Sequence, residues 1–164
     1  MANIMNRLLG PHYTPKGKTD NWITPRWLLD SLGDFDLDPC CPESMPWSTA
    51  KIMYHHPYQD GLTLPWHGRV WLNPPYGKDI GLWLDKLANH GNGIALTFVR
   101  TDTKWCQSAM RQANALFFLG KRVAFYTPEG IKCSSAGAPS MLLAYGYRNI
   151  TALRACHLPG LFKF

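Results

Sequence analysis

The sequence predicts an α/β fold in which a mostly parallel sheet is covered by helices. Between residues 70 and 119, short apolar runs typical of buried strands alternate with amphipathic helical patterns. Parallel strands need a crossover connection, usually a helix, so this alternation favours parallel pairing. A chain of 164 residues, 46% of them hydrophobic, is long enough to form one domain around a buried core. Ligands of such sheets bind at the carboxyl ends of the strands, so functional side chains are expected in the segments that follow the strands.

Three helices have recognisable boundaries in the sequence. The first has Thr24 as a natural N-cap, Pro25 at its first position and Gly33 at its end. The second ends at Gly91, and its apolar face carries Ile80, Leu84, Leu87 and Ala88. The third spans residues 103–113. Each of the last two lies between apolar runs, as strand–helix alternation requires.

The predicted strands are the apolar runs 35–38, 69–73, 93–99 and 115–119, followed by closing strands within 121–130 and 140–147. A turn at Pro128-Glu129-Gly130 makes the first closing segment part of a β-hairpin in the C-terminal region. Residues 39–68 are rich in Pro, His and Trp and show no long periodicity, so they are predicted to form loops.

The charge distribution divides the chain into three parts. The net charge of +6 is the sum of +3 in residues 1–26, −2 in residues 27–120 and +5 in residues 121–164. Basic ends around a near-neutral middle favour a small-molecule site bordered by contacts to a polyanion, although ordinary surface Lys and Arg are the alternative. The expected organisation is a flexible basic arm, residues 1–20, and a single folded domain, residues 21–164.

The compartment and the cysteines are also constrained by the sequence. No run of about 18 apolar residues is present, and the first residues lack the pattern of a signal peptide, so a cytoplasmic protein is expected. Its five cysteines are then expected to be thiols. They contain no C-x-x-C pair, so no metal is expected.

The stretch Asn73-Pro74-Pro75-Tyr76 follows an apolar strand and points to a site for a planar NH2 group. The amide oxygen of Asn73 can accept one hydrogen, and the carbonyl of Pro74, held rigid between two prolines, can accept the other. Accepting both hydrogens removes the nitrogen lone pair from conjugation, which makes the nitrogen a better nucleophile. Tyr76 offers an aromatic face for stacking a planar base. The alternative is a loop whose prolines end a strand and whose Tyr packs nearby.

Other polar stretches lie at predicted strand ends or turns. Asp38 can bind the ammonium of an amino-acid ligand, or it can cap a turn. Asp60, in Asp-Gly-Leu, can accept a hydrogen bond from an adenine amine, or it can belong to an ordinary turn. The stretch 100–105 can meet phosphates through its basic residues, or cap the following helix through Thr101 or Thr103.

Several short elements follow one another in a recognisable order. They are W-x-T-P from Trp22, F-x-L-D-P-C from Phe35, D-G-L from Asp60, N-P-P-Y-G from Asn73, R-T-D-T-x-W from Arg100, G-K-R-V-x-F from Gly120 and A-P-S from Ala138. Together, over roughly residues 20–146, they resemble the phage-type DNA N6-adenine methyltransferases. The resemblance implies a reduced Rossmann-like fold, S-adenosylmethionine (SAM) as methyl donor and adenine in double-stranded DNA as acceptor. It also implies the cytoplasm of a host bacterial cell, if the chain is phage-encoded.

The resemblance implies roles for individual residues. The catalytic set is Asn73, Pro74, Pro75 and Tyr76, which would hold and stack a flipped adenine while its amine attacks the methyl group in line, with no covalent enzyme intermediate. The cofactor-binding set is Trp22, Thr24, Pro25, Asp38, Pro39, Cys40, Asp60 and Asn73. The DNA-binding set is Tyr76, Lys78, Arg100, Asp102, Thr103, Lys104 and Arg122.

The sequence departs from larger SAM-dependent methyltransferases in two respects. No glycine-rich turn follows the first strand, and too few residues separate Asp38 from Asn73 for two strand–helix units. A reduced sheet is therefore expected, without the strand that presents a ribose-binding acid, and Glu43 is a candidate for that acid. There is no separate target-recognition domain, so DNA contacts are expected from the basic arm, the basic C-terminal part or a second subunit in a homodimer.

Three alternatives to adenine methylation remain open at this point. An RNA base or a protein glutamine amide presents the same NH2 geometry to Asn73. Cytosine C5 methylation would use Cys40 as a thiolate nucleophile and would leave Asn73-Pro74-Pro75-Tyr76 without a purpose. A catalytically inactive DNA-binding relative would bind no SAM.

Overall fold

A computed structural model describes residues 22–164; the arm predicted for residues 1–20 lies outside these residues. The strands are β1 Leu37–Cys41, β2 Ile52–His55, β3 Val70–Leu72, β4 Gly93–Phe98, β5 Ala115–Leu119, β6 Ala124–Tyr126, β7 Lys132–Ser135, β8 Ser140–Tyr145 and β9 Gly160–Lys163. The helices are α1 Arg26–Asp30, α2 Ile80–His90, α3 Lys104–Gln112 and α4 Tyr147–Ala155. None of the helices described is long and apolar enough to cross a membrane.

A seven-stranded sheet in the order β2-β1-β3-β4-β8-β5-β9 organises the fold. Its first four strands pair in parallel. Strand β8 is antiparallel to both β4 and β5, and β9 is antiparallel to β5. Strands β1 to β5 therefore point in one direction, and β8 and β9 in the other. The α/β class with helices flanking a largely parallel sheet is confirmed, with β8 placed inside the sheet.

The two faces of the sheet bury different helices. Val70 and Leu72 face α2 and α3, whereas Trp71, between them, faces the side covered by α1 and α4. Ala95 and Ile94 alternate in the same way on β4. This period of two on strands buried on both faces explains why they read as continuous apolar runs in the sequence. Because both faces are covered, a ligand cavity is left to the edges of the sheet.

Several predicted elements are confirmed by the structure. Helix α2 ends at Gly91, whose φ of 72° lies in the left-handed region and whose N–H donates to the Leu87 carbonyl at 2.9 Å. Helix α3 is capped by Thr103, whose hydroxyl accepts from the Cys106 N–H at 3.4 Å. The hairpin β6–β7 turns at residues 127–131 and forms a separate two-stranded sheet.

Other predicted elements need correction. Thr24 does not cap α1: Pro25 is the N-cap in an extended conformation, and the helix begins one residue later than predicted. The first strand is shifted relative to the predicted 35–38: it begins at Leu37, and its pairing with β2 continues to Cys41. Strand β2 lies in the segment predicted to be loop, since its short, partly exposed run has no clear alternation. Helix α4 and strand β9 follow the last predicted element.

Arg69 lies at the amino end of β3, opposite the end that carries Asn73, and it anchors α4 to the sheet there. Its buried guanidinium donates to the Asn149 amide oxygen at 2.7 Å and to the Asp34 carbonyl at 2.9 Å. It also lies 4.2 Å from the centre of the Phe35 ring. Burial lowers the pKa of Arg69 to about 10, which still leaves the side chain charged at neutral pH. This network has a structural role, distant from the carboxyl ends of the strands.

Packing of α2 against the sheet predicts that two leucines of this helix contribute differently to the free energy of unfolding. Leu87 is fully buried, whereas 57% of Leu82 is exposed. Leu87→Ala should lower the free energy of unfolding by about 2–5 kcal/mol, because it removes buried surface and leaves a cavity. The matched control Leu82→Ala should change it by less than about 0.5 kcal/mol. Urea denaturation measures both, and equal effects would contradict this packing of α2.

Candidate active site

A cavity of about 510 Å³ opens at the carboxyl edge of β1, β2 and β3. Because these three strands are parallel, the segments that follow them meet at one edge of the sheet. The lining comes from residues 22–24, 38–42, 59–61 and 73–76, together with Met45, Thr49, His56 and Trp83. Of the predicted sets, the cavity brings together all four catalytic residues and every cofactor-binding residue except Pro25, which is buried beside it as the N-cap of α1.

Hydrogen bonds to Trp22 and Cys40 hold Asn73 in one orientation. Its Nδ2 donates to the Trp22 carbonyl at 2.8 Å, and its backbone carbonyl accepts from the Cys40 thiol at 3.2 Å. Within residues 22–164, no group donates a hydrogen bond to Asn73 Oδ1 or to the carbonyl of Pro74. Both oxygens therefore keep their capacity to accept hydrogens from a ligand.

The hairpin β6–β7 and Trp47 fix the segment that holds Asn73. Ile23 exchanges two backbone hydrogen bonds with Tyr126, at 2.9 and 3.0 Å. The Trp47 indole donates to the Thr24 carbonyl at 3.0 Å, and its ring lies edge-on to Tyr126 with 5.0 Å between centroids. Residues 22–24 thus form one wall of the cavity, and their position depends on an element distant in sequence.

Tyr76 is clamped against β4. Its ring stacks on Phe98, with centroids 4.6 Å apart and an angle of 18° between the planes. The Phe98 N–H donates to the Tyr76 hydroxyl at 2.8 Å. Burial raises the pKa of Tyr76, so the hydroxyl stays protonated. The side chain still contributes to the cavity lining, and its fixed ring suits it for stacking rather than for acid–base chemistry.

Asp38 is a buried carboxylate at the base of the cavity. Its oxygens accept from the Thr49 hydroxyl at 2.5 Å and from the Cys40 N–H at 3.2 Å. Burial raises the pKa of Asp38, and these hydrogen bonds oppose the rise. No Lys or Arg in the described part of the chain forms an ion pair with it. A buried carboxylate without a cationic partner is costly, so it favours a ligand that brings a positive charge.

The two cysteines beside Asp38 are poorly suited to nucleophilic chemistry. Burial and the Asp38 carboxylate raise the pKa of both Cys40 and Cys41. The Cys40 thiol donates to the Asn73 carbonyl, which requires its proton. A cysteine nucleophile needs a thiolate, which this environment disfavours.

The loop that carries Asp60 packs tightly against the end of β1. Asp60 Oδ1 accepts from the Leu62 N–H at 2.9 Å. Asp60 therefore belongs to a turn, which was one of the two predictions for this residue. It also lines the cavity. A Cβ on Gly61 would lie 1.9 Å from the Pro39 carbonyl oxygen, so only glycine allows this approach.

The remaining predicted DNA-binding residues lie outside the cavity, in the segments after β3, β4 and β5. Lys78 and Lys104 are exposed. Arg100 and Asp102 pair with each other at 3.5 Å, and Thr103 serves as the cap of α3. The Arg122 guanidinium donates to the carbonyls of Ala136 and Gly137 across the base of the hairpin. These side chains share the catalytic edge of the sheet without converging on one point.

Some cavity residues have no signal in the sequence, and one candidate lies elsewhere. Thr49, His56 and Gln59 flank β2 and reach the cavity through the pairing of β2 with β1. Trp83 reads as an ordinary member of the apolar face of α2. Glu43 does not line the cavity; its carboxylate accepts from the Tyr58 hydroxyl at 2.7 Å. The described residues bring together no group of three His, Cys, Asp or Glu side chains that could hold a metal ion.

Comparison with protein families gives the identity of the chain at family level. The model of the DNA N-6-adenine-methyltransferase (Dam) family matches residues 12–153, and the chain belongs to this family. This match confirms the predicted membership of the DNA N6-adenine methyltransferases. Family membership implies methylation of adenine N6 in DNA, with SAM as methyl donor. Comparisons with curated proteins and with solved structures find no significant match.

Gly61 and Gly77 provide a matched test of the cavity wall. Gly61→Ala should lower the free energy of unfolding by about 1–3 kcal/mol, since its methyl group must displace the Pro39 backbone. Gly77→Ala should change it by less than about 0.5 kcal/mol, because nothing lies within 4 Å of the added methyl. Thermal denaturation of both variants is the measurement; a stable Gly61→Ala protein would show that the loop does not contact Pro39 in this way.

Proposed function

We propose that the protein transfers a methyl group from SAM to the exocyclic N6 of a flipped adenine in double-stranded DNA. The observation that carries the proposal is the orientation of the Asn73 amide. Its Nδ2 is engaged by the Trp22 carbonyl, which leaves Oδ1 and the Pro74 carbonyl as acceptors at the end of β3. Family membership supports adenine in DNA as the acceptor.

The two acceptors account for activation of the amine. Asn73 Oδ1 and the Pro74 carbonyl each take one hydrogen of the NH2 group, which turns its lone pair away from the ring and toward the cavity. Pro75 keeps the Pro74 carbonyl rigid. Because both acceptors are uncharged and the nearby thiols are protonated, the amine itself is the nucleophile, with no covalent bond to the enzyme. The residues supply orientation, which is the larger part of the rate in such a transfer.

Tyr76 would hold the flipped base. One side of its ring is stacked on Phe98, and its hydroxyl is fixed by the β4 backbone, so the ring cannot swing away. Stacking on a rigid ring offsets part of the few kcal/mol that unstacking a base from the duplex requires. The side chain lies three residues from Asn73, which places the stacking surface and the amine acceptors on one short segment.

The lining of the cavity fits SAM. SAM supplies an electrophilic methyl group on a sulfonium centre. Asp38 would pair with its ammonium, which explains why this buried carboxylate has no cationic partner of its own. Trp22, Thr24, Pro39 and Cys40 would enclose the methionine part, and Asp60 would accept from the adenine amine through the oxygen that the turn leaves unused.

The fold and the charge distribution support DNA as partner. A parallel run of four strands with its cavity at the carboxyl edge supports the proposal of a reduced Rossmann-like domain. Lys78, Arg100, Lys104 and Arg122 follow strands that end at the same edge and would contact phosphates around the flipped base. A homodimer would extend this basic surface.

The cytosine C5 alternative is disfavoured by the site. It requires a Cys40 thiolate, whereas burial and Asp38 raise the pKa of that thiol and its proton is donated to Asn73. Incubation with labelled SAM and DNA, followed by nucleoside analysis, tests the proposal. Label in N6-methyladenine is expected. Label in 5-methylcytosine, in RNA or in protein glutamine, or no label at all, would overturn it.

Asn73→Ala should lower the methylation rate at least about a hundredfold, because the amine loses one acceptor and its orientation. SAM affinity should stay nearly unchanged, since Asp38 and the other lining residues remain. The measurements are radiolabel transfer and calorimetric titration. Asn89→Ala, an exposed asparagine on α2, is the matched control and should transfer methyl groups at the normal rate. An active Asn73→Ala enzyme would exclude the assigned role of Asn73.

Asp38→Asn should stabilise the ligand-free protein at neutral pH while abolishing SAM binding. Because burial raises the pKa of Asp38, the folded state binds this proton more tightly than the unfolded chain does. The contribution of the carboxyl group to stability is therefore favourable at acid pH and is lost as the pH rises through the raised pKa. The stability difference between variant and wild type should shrink toward pH 3.8, the ordinary pKa of Asp. Urea midpoints across this range measure it, and a variant that is less stable at pH 7 than the wild type would contradict the assignment.

A further inference from the structure

We propose that Lys86, on the helix α2 outside the cavity, is a positioning residue that holds the wall against which the adenosyl end of SAM binds. The inference rests on the proposed function, since it assigns the ligand of this wall. The wall is the loop Asp60–Leu64, which has neither helix nor strand of its own. It contributes Asp60 and Gly61 to the lining of the cavity.

Lys86 uses every hydrogen of its ammonium group on this loop. Its Nζ donates to the carbonyls of Gly61 at 3.0 Å, Leu62 at 2.8 Å and Leu64 at 2.7 Å. An ammonium has three donors, so none is left for solvent or for a ligand. Charge-assisted hydrogen bonds of this length are among the stronger ones in proteins. Because all three hydrogen bonds go to one short loop, they fix the orientation of the carbonyl groups of Gly61, Leu62 and Leu64.

Asp60 ties the same loop from within. Its backbone carbonyl accepts from the N–H groups of Thr63 and Leu64 at 3.1 and 3.0 Å, and its Oδ1 accepts from the Leu62 N–H. No hydrogen bond from residues 22–164 reaches its Oδ2. The carbonyls are thus directed to Lys86 and the N–H groups to Asp60, and one carboxylate oxygen of Asp60 is left as an acceptor for a ligand amine.

Aromatic contacts connect this clamp to the floor of the cavity. The Trp66 indole donates to the same Gly61 carbonyl at 2.7 Å, and Lys86 Nζ lies 5.1 Å from the centre of the Trp66 ring. Trp66 in turn stacks on Trp83, with 6.3 Å between centroids, and Trp83 lines the cavity. Because Lys86 and Trp83 lie one turn apart on α2, the helix that carries the clamp also supplies part of the wall.

On the side away from Lys86, the loop packs against the backbone of Pro39. Gly61 lies against the Pro39 carbonyl, where even a methyl group would collide. The loop is therefore held between β1, which carries Asp38, and α2, which carries Lys86. Its position sets the distance between the ammonium partner Asp38 and the amine acceptor Asp60, which is the span that a ligand with both groups must match.

Lys86→Met removes the charged donors but retains a side chain of similar length against Trp66. Two measurements on the full chain test the clamp. Hydrogen exchange without ligand should become at least about tenfold faster at the Leu62, Thr63 and Leu64 amides and stay unchanged in the strands. Calorimetric titration with S-adenosylhomocysteine should show about tenfold weaker binding. With saturating SAM, the methylation rate should remain within about twofold of the wild type, because the amine acceptors are untouched.

The controls separate this inference from the proposed function. Lys163→Met, an exposed lysine on the far edge strand β9, should change neither the loop exchange nor the affinity for S-adenosylhomocysteine. In an Asp60→Ala background, Lys86→Met should weaken binding further by clearly less than tenfold, since both act through one loop. Unchanged exchange at Leu62–Leu64 overturns the clamp, and faster exchange with unchanged affinity overturns its link to the ligand. A wild-type protein that binds S-adenosylhomocysteine but methylates no DNA would overturn the proposed function alone.

Discussion

The hydrogen bond from Asn73 Nδ2 to the Trp22 carbonyl is the interaction on which the site depends. It joins the end of β3 to a segment that the hairpin β6–β7 holds through Ile23 and Tyr126. One 2.8 Å contact thereby sets the direction of the amide oxygen, and elements about a hundred residues apart share in setting it. A change in the hairpin that moves Ile23 should therefore also move the Asn73 amide, so the proposed reaction centre depends on the position of the hairpin.

The electrostatics of the cavity explain a second feature of the molecule. Asp38 is buried with hydrogen-bond donors but without a cation among the described residues, and burial together with the Asp38 carboxylate raises the pKa of Cys40 and Cys41. A buried carboxylate of this kind destabilises the ligand-free fold, and in the proposed function its cationic partner is the ligand. Burial and this carboxylate together favour the protonated form of the adjacent thiols, so the cavity holds no thiolate nucleophile that would compete with the proposed attack by the amine.

The reduced size of the fold places further demands on its loops. With β2 as the edge strand beside β1, this side of the cavity is lined by His56, Gln59, Asp60 and Gly61, in the loop after β2, and not by another strand–helix unit. A loop holds a ligand well only when it is fixed, and here Lys86, Trp66 and Gly61 fix it from two sides. Helix α2 therefore has two functions, since Leu87 packs in the core and Lys86 holds the loop.

Local patterns in the sequence determined the α/β class, helices α2 and α3, the hairpin and the segment Asn73–Tyr76 at the end of β3, because periodicity, caps and prolines act over a few residues. The same patterns were misleading at Thr24, since the extended Pro25 moved the start of α1, and they missed β2, whose run is too short and too exposed to alternate. Only the tertiary structure decided that Thr49 bonds Asp38, that Trp22 orients Asn73, and that Lys86 reaches the carbonyls of the Asp60 loop. Each of these is a contact between segments that strand pairing brings together. A local sequence pattern does not determine which strands will be neighbours in the sheet.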